Sequence, residues 1–252
     1  MKPQHSKRKH SKFSASGAER WFKCPASVEL SEGIPDKDNK WSIEGTRGHE
    51  VLDATLRALV TGKPIPWFKP PYTREMTTLA MSAAKFVLAV KREHPRSKVL
   101  NETRISLPFI HPDMFGTFDI ALIEHFGTLH VFDYKFGRHR VSPRKNLQMI
   151  FYALGLAARH HWNFKRVRLW IIQPRVSGYD GPEFWEIGIL ELKSYIRQFE
   201  KAVKRATTET DTFVEGPHCH WCKAVSKCPI KNQGRVKKGM AVFSALPLNE
   251  ER

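Results

Sequence analysis

Asp119, Asp133 and Lys135 are the side chains of this sequence best placed to do chemistry. Asp119 closes the run Gly116-Thr117-Phe118-Asp119, and Asp133-Tyr134-Lys135 ends an apolar stretch a short way downstream. Ile120, Leu122, Val131 and Phe132 are β-branched or large and apolar, so both stretches read as strands. Side chains alternate along a strand, which puts Asp133 and Lys135 on one face. Carboxylates beside an apolar sheet are costly unless something compensates them. The natural compensator is a hard divalent cation, Mg²⁺ or Mn²⁺, which prefers oxygen ligands. Lys135 would then stabilise the negative charge that builds on oxygen during attack at phosphorus. Taken alone, a D-x-K triplet is more often a surface ion pair, and its surroundings have to decide.

Those surroundings are elements of recognisable period. Gly127-Thr128 reads as the turn of a hairpin joining the two aspartate strands. Residues 143–160 follow as a helix with Leu147, Ile150, Phe151 and Leu154 on its buried stripe. Gln148 and Tyr152 lie one turn apart on a neighbouring face. Upstream, residues 41–61 form a helix in which His49, Leu52, Leu56 and Leu59 share a stripe, so His49 reads as a hydrogen-bonded core residue. Residues 64–72 are proline-rich and aromatic, a connector or a surface groove, and 73–93 is a further amphipathic helix. Residues 99–110 read as a strand carrying Glu102, 167–173 and 184–190 as two more, and 191–208 as a charged helix. The order helix, three strands, helix, strand gives a mixed α/β (α+β) chain around a central sheet.

Composition bounds the partner. With 42 Lys+Arg against 25 Asp+Glu the net charge is +17, which calls for a polyanion, most simply nucleic acid. Arg138, Arg140, Arg144 and Lys145 crowd the connection after Lys135, a phosphate-binding edge. No apolar run approaches the roughly 20 residues that span a bilayer, so the expectation is a cytoplasmic protein without a membrane partner. Residues 1–12 read as a basic disordered arm, 13–230 as a single domain with its core at about 42–175, and 231–252 as a flexible tail. Of four cysteines, Cys219, Cys222 and Cys228 are close together and Cys24 is nearly a chain length away. Soft thiolates select Zn²⁺ or an iron–sulfur cluster, so this reads as a second, structural centre. His218 and His220 lie inside the group and keep a Cys/His zinc site open.

The segment 116–152 resembles the PD-(D/E)XK nuclease superfamily, specifically its RecB-type exonuclease branch. The resemblance rests on Gly116-Thr117-Phe118-Asp119, Asp133-Tyr134-Lys135 and Gln148-Met149-Ile150-Phe151-Tyr152, with Phe118 where the name-giving proline would stand. It implies an αβββαβ restriction-endonuclease-like core and a metal-dependent DNA nuclease. His49 becomes a ligand beside Asp119 and Asp133, and Gln148 and Tyr152 brace the site. Relatives of the AddB type and of the CRISPR-associated type clasp a 4Fe–4S cluster with one cysteine before the core and three after it. Cys24, Cys219, Cys222 and Cys228 match that layout and would tie an N- and C-terminal lobe together. By analogy, the implied setting is a phage or mobile-element recombination system in the host cytoplasm, with a single-strand annealing protein or a helicase as partner. Two other readings stay open: a DNA-binding or assembly protein on the same fold without turnover, and a zinc-stabilised nucleic-acid module.

Overall fold

Alternating apolar residues build the sheet and amphipathic helices cover it. A computed structural model of the protein describes residues 11–35 and 39–232. The order is α1 (Ala18–Lys23), α2 (Ser27–Leu30), α3 (Lys40–Thr61), α4 (Arg74–Glu93), β1 (Lys98–Ser106), β2 (Phe115–Ile123), β3 (Thr128–Tyr134), α5 (Leu147–Arg159), β4 (Arg166–Ile172), β5 (Glu183–Gly188) and α6 (Ile189–Thr208). Two short 3₁₀ turns follow, Pro217–Trp221 and Val225–Lys227. The expected αβββαβ order holds. The expected strand at 99–110 stops at Ser106, because Leu107 turns the chain into hydrogen bonds from Ile110 and His111.

The five strands lie in the order β1-β2-β3-β4-β5. All neighbours are antiparallel except β3 and β4, which run parallel because α5 carries the chain back across the sheet. Every residue of β3 is buried, as befits a central strand covered on both faces. One face packs Leu129 and Val131 against α1, α5 and α6 residues such as Trp21, Phe151 and Phe199. The opposite face packs Phe132 and Tyr134 against Val51, Leu56, Ala80 and Val87 of α3 and α4. Each large side chain so buried contributes about 1.5–3 kcal/mol.

Two local features differ from expectation. In the β2–β3 hairpin the left-handed backbone falls on Phe126 (φ 61°), not on Gly127. Gly127 is needed for another reason: a Cβ there would lie 2.7 Å from the Glu124 carboxylate. The chain before α1 is also part of the core, with Phe13 fully buried and edge-on to Trp21. Ser11, assigned to the arm, donates to the Asp113 carbonyl and accepts from the Phe115 amide, and Lys12 pairs with Glu32. The rest of the expected arm, 1–10, and of the tail, 233–252, lies outside the described residues, whereas Lys231 pairs with Glu215.

Candidate active site

The site begins with an irregularity that β1 and β2 share. Leu100 and Ile105 pack on the same sheet face at odd separation, and so do Phe118 and Ala121. Strict alternation would put each pair on opposite faces. Both strands therefore switch faces at the pair that the ladder skips, Glu102 and Asp119: Asn101 pairs with Ile120 and Thr103 with Phe118. Glu102 takes a positive φ of 42°, a conformation non-glycine residues rarely adopt. The Asp119 carboxylate is fixed by the Tyr134 amide, which donates to Oδ2 at 2.7 Å. Its Oδ1 lies 3.3 Å from His49 Nδ1.

His49 arrives on α3. Asn39 opens that helix by accepting from the Trp41 and Ser42 amides, and the Ser42 hydroxyl returns the cap. Gly48 lets the helix approach the sheet: a Cβ there would meet Phe136 Cγ at 2.8 Å. His49, Glu102 and Asp119 each offer a ligand atom, all within 4.8 Å of one another. Among the described residues no other group of three His, Cys, Asp or Glu side chains is that close.

Asp133 lies outside this trio and heads a second cluster. Its Oδ2 is 2.8 Å from Lys135 Nζ, the shared face the sequence predicts. Lys135 also donates to Gln148 Oε1 at 3.0 Å, while Gln148 Nε2 donates to Asp133 Oδ1 and to the Tyr152 hydroxyl, each at 3.2 Å. Gln148 has this reach because Asn146 caps α5 by accepting from the Met149 amide, which places Gln148 in the first turn. Asp119, Asp133, Lys135, Gln148, Tyr152 and His49 thus come together from β2, β3, α5 and α3.

The two clusters sense each other electrostatically. Burial opposes the His49 imidazolium, but the charge and hydrogen bond of Asp119 outweigh it and push His49 up to about 9. Burial also opposes the Asp119 carboxylate, and His49, the Tyr134 amide and Lys135 together hold it below its ordinary value. Burial and then the neighbouring Asp119 charge keep Asp133 high, although Lys135 pulls the other way. Lys135 is disfavoured by burial, yet Asp133 holds its ammonium above the usual lysine range. Glu102 is pushed upward, towards about 7, by desolvation first and Asp119 second, a shift that its exposed side chain tempers.

Glu102 is the residue sequence reasoning missed. Its signal was the single carboxylate of its strand, but only the register puts it opposite Asp119. Arg175 was missed as well. Its buried guanidinium binds Glu44 of α3 at 3.0 Å, Glu75 of α4 at 3.2 Å and the Phe136 carbonyl at 3.2 Å. It clamps both helices to the segment that leaves Lys135. Of the basic edge, Arg140 is already paired with Glu183, while Arg138, Arg144 and Lys145 form no ion pair among the described residues.

A hard cation fits the trio, which offers carboxylate oxygens and one imidazole. The thiols form the other candidate centre. Cys24, Cys219, Cys222 and Cys228 are unpaired by disulfides and line one cavity with His218. His218 Nε2 donates to the Val214 carbonyl, and its buried Nδ1 has no hydrogen-bond partner. No three of these donors lie within 4.8 Å of one another. His220 points elsewhere and packs its ring on Trp221 and His139.

Several solved structures have a related chain trace. A candidate exonuclease from Eubacterium rectale shares 10% identity over 96% of this chain and 91% of that chain, with a TM-score of 0.47. The alkaline exonuclease of Laribacter hongkongensis shares 11% over 77% of this chain and 94% of that one, at 0.33. Its complex with dAMP gives 11%, 78%, 92% and 0.35. At such identities and scores no role passes from these proteins to this chain. The family match covers residues 10–251: the chain belongs to the DUF2800 family, described as protein of unknown function.

Proposed function

We propose that the protein is a divalent-metal-dependent nuclease that hydrolyses phosphodiester bonds in DNA, acting as an exonuclease. One observation carries this reading: the metal-suited trio of His49, Glu102 and Asp119 stands beside a buried carboxylate and an ammonium that Gln148 holds together. A structural ion pair has no need of so many compensated charges in one place. Mg²⁺ or Mn²⁺ would be held by His49, Asp119 and Glu102, with Asp133 behind them. When bound, the cation supplies charge neutralisation at phosphate and an acidified water. The chain's own residues do the rest. His49 gives up its extra proton so that Nδ1 presents a lone pair. Lys135, fixed by Asp133 and Gln148, offers its ammonium to the phosphoryl oxygens as their charge grows. Arg138, Arg144 and Lys145 supply a basic edge for neighbouring phosphates.

The test uses end-labelled DNA with purified protein, in Mn²⁺ or Mg²⁺ and in chelator. Metal-dependent degradation is expected, and Lys135→Ala is expected to abolish it while leaving DNA binding intact. Binding by wild type without any cleavage would instead mark a protein that uses this fold for DNA binding or assembly. A Lys135→Ala variant that cuts like wild type sinks the site assignment.

We further propose that the four thiols hold a 4Fe–4S cluster. What supports the reading is that all four thiols line one cavity, with His218 available to complete a Cys/His zinc site as the alternative.

A further inference from the structure

From the first turn of α3 and the loop that follows the helix, we infer a landing track for single-stranded DNA, with Trp41 and Trp67 as base-stacking platforms. It rests on the nuclease reading for the identity of its partner as DNA, and it extends that reading to the form of the substrate. Five of the twelve large hydrophobics left exposed among the described residues fall between residues 41 and 67. Trp67 is the most open of all at 86%, and Trp41 is 67% exposed.

The loop is anchored rather than loosely draped. At one end the Lys63 amide donates to the Ala58 carbonyl, just past Gly62 with its left-handed φ of 67°. At the other end the Tyr72 hydroxyl donates to Glu50, the residue next to His49, at 2.8 Å. Phe68 and Tyr72 meet edge-on and pack on the core between α3 and α4. Prolines 64, 66, 70 and 71 stiffen the chain between these anchors. The half-buried Phe68 and Tyr72 hold the loop down, so folding does not require the indole of Trp67 to face water.

Charge settles which partner suits these residues. The acids of the stretch are all engaged: Glu44 by Arg175, Glu50 by Tyr72, and Asp53 by Arg57 and Asn101. Lys40, Arg47, Lys63, Lys69 and Arg74 form no ion pair among the described residues, and the Lys40 ammonium lies 5.9 Å from the Trp41 ring centroid. Flat aromatic surfaces among uncompensated cations match unpaired bases linked by phosphates. A duplex hides its base faces and cannot use the indoles. The track also leads to the chemistry, because Trp41 precedes His49 by eight residues on one helix, about 12 Å along its axis.

The experiment measures binding with full-length protein in chelator, so that no hydrolysis is needed. The probes are a fluorescent oligothymidine, a blunt duplex of the same length and phosphatidylserine vesicles. Trp41→Ala and Trp67→Ala should each weaken oligothymidine binding by about tenfold, and Trp→Phe should largely restore it. Duplex affinity should stay at the wild-type value, and thermal melts should match wild type because both side chains are exposed. The inference is overturned if the double alanine variant binds the single strand as wild type does. It is equally overturned if single-strand and duplex affinities fall in step, or if vesicles are captured and the oligonucleotide is not. Cleavage in Mn²⁺ is read separately: tryptophan-dependent binding without turnover would remove the nuclease reading and leave the track standing.

Discussion

Gly48→Ala isolates the close approach that puts His49 over Asp119. On propensity alone the change should help, since alanine in a helix interior is favoured over glycine by about 1 kcal/mol. The new methyl, however, would lie 2.8, 3.0 and 3.1 Å from Cγ, Cδ2 and Cβ of Phe136, the first closer than real Cβ contacts come and the others tighter than most. Phe136 has nowhere to go. It is 3% exposed, its ring lies 4.4 Å from the Arg175 guanidinium, and its carbonyl accepts from that same arginine. Overpacking of this kind costs about 1–3 kcal/mol, so the clash should win by up to about 2 kcal/mol. For a chain of this size that lowers Tm by a few degrees. The larger effect falls on chemistry, because lifting α3 by about 1 Å pulls His49 from its 3.3 Å approach to Asp119 and should cost on the order of 10²-fold in cleavage. The assay is calorimetric melting with Mn²⁺ titration, followed by turnover. Placed in a Phe136→Ala background, Gly48→Ala should cost less than it does alone, a coupling expected only of residues in contact. If Gly48→Ala alone melts higher than wild type and cuts as fast, the packing account of the site is wrong.

Three further outcomes follow from the site. In chelator, stability should fall as pH rises: the folded protein holds a Glu102 proton up to about 7 against an ordinary 4.5, and a His49 proton up to about 9 against 6.5. Calorimetry across pH 4.5 to 9 checks this, with Glu102→Gln expected to flatten the lower part of the fall; a Tm that climbs through this range contradicts it. Mn²⁺ at a hundred times its Kd should add about 2.7 kcal/mol of stability, reversed by chelator and missing in His49→Ala. Protein purified without air should show the broad visible absorption of an iron–sulfur cluster, and Cys24→Ser should lose it; a colourless protein carrying one zinc per chain would replace the cluster with zinc.

The legibility of this protein in its sequence followed the range of each interaction. Asp133, Lys135, Gln148 and Tyr152 lie within twenty residues, so strand alternation and helix spacing sufficed to bring them together. Asp119 joins them through a hairpin, also a short-range device. Glu102 was hidden because its role depends on a switch of faces in two paired strands, and periodicity assumes that no such switch occurs. Arg175 was hidden for another reason, since its three partners come from α3, α4 and the segment after β3. The Phe13–Trp21 stretch shows the same limit: too short for a clear period, it reads as a mixed segment, yet its rings fill the space beside Phe199.

That division of labour bears on how the molecule matures. Half of the reactive constellation is assembled by near neighbours in the chain, but His49 and Glu102 arrive from helix and edge-strand partners that must first dock. Along the chain, however, His49, Glu102 and Asp119 precede Asp133, Lys135 and Gln148, so a half-made copy carries the residues of the trio and none of the second cluster. On the nuclease reading, competence to cut would therefore wait for β3 and α5 to be made and docked, a built-in safeguard during synthesis.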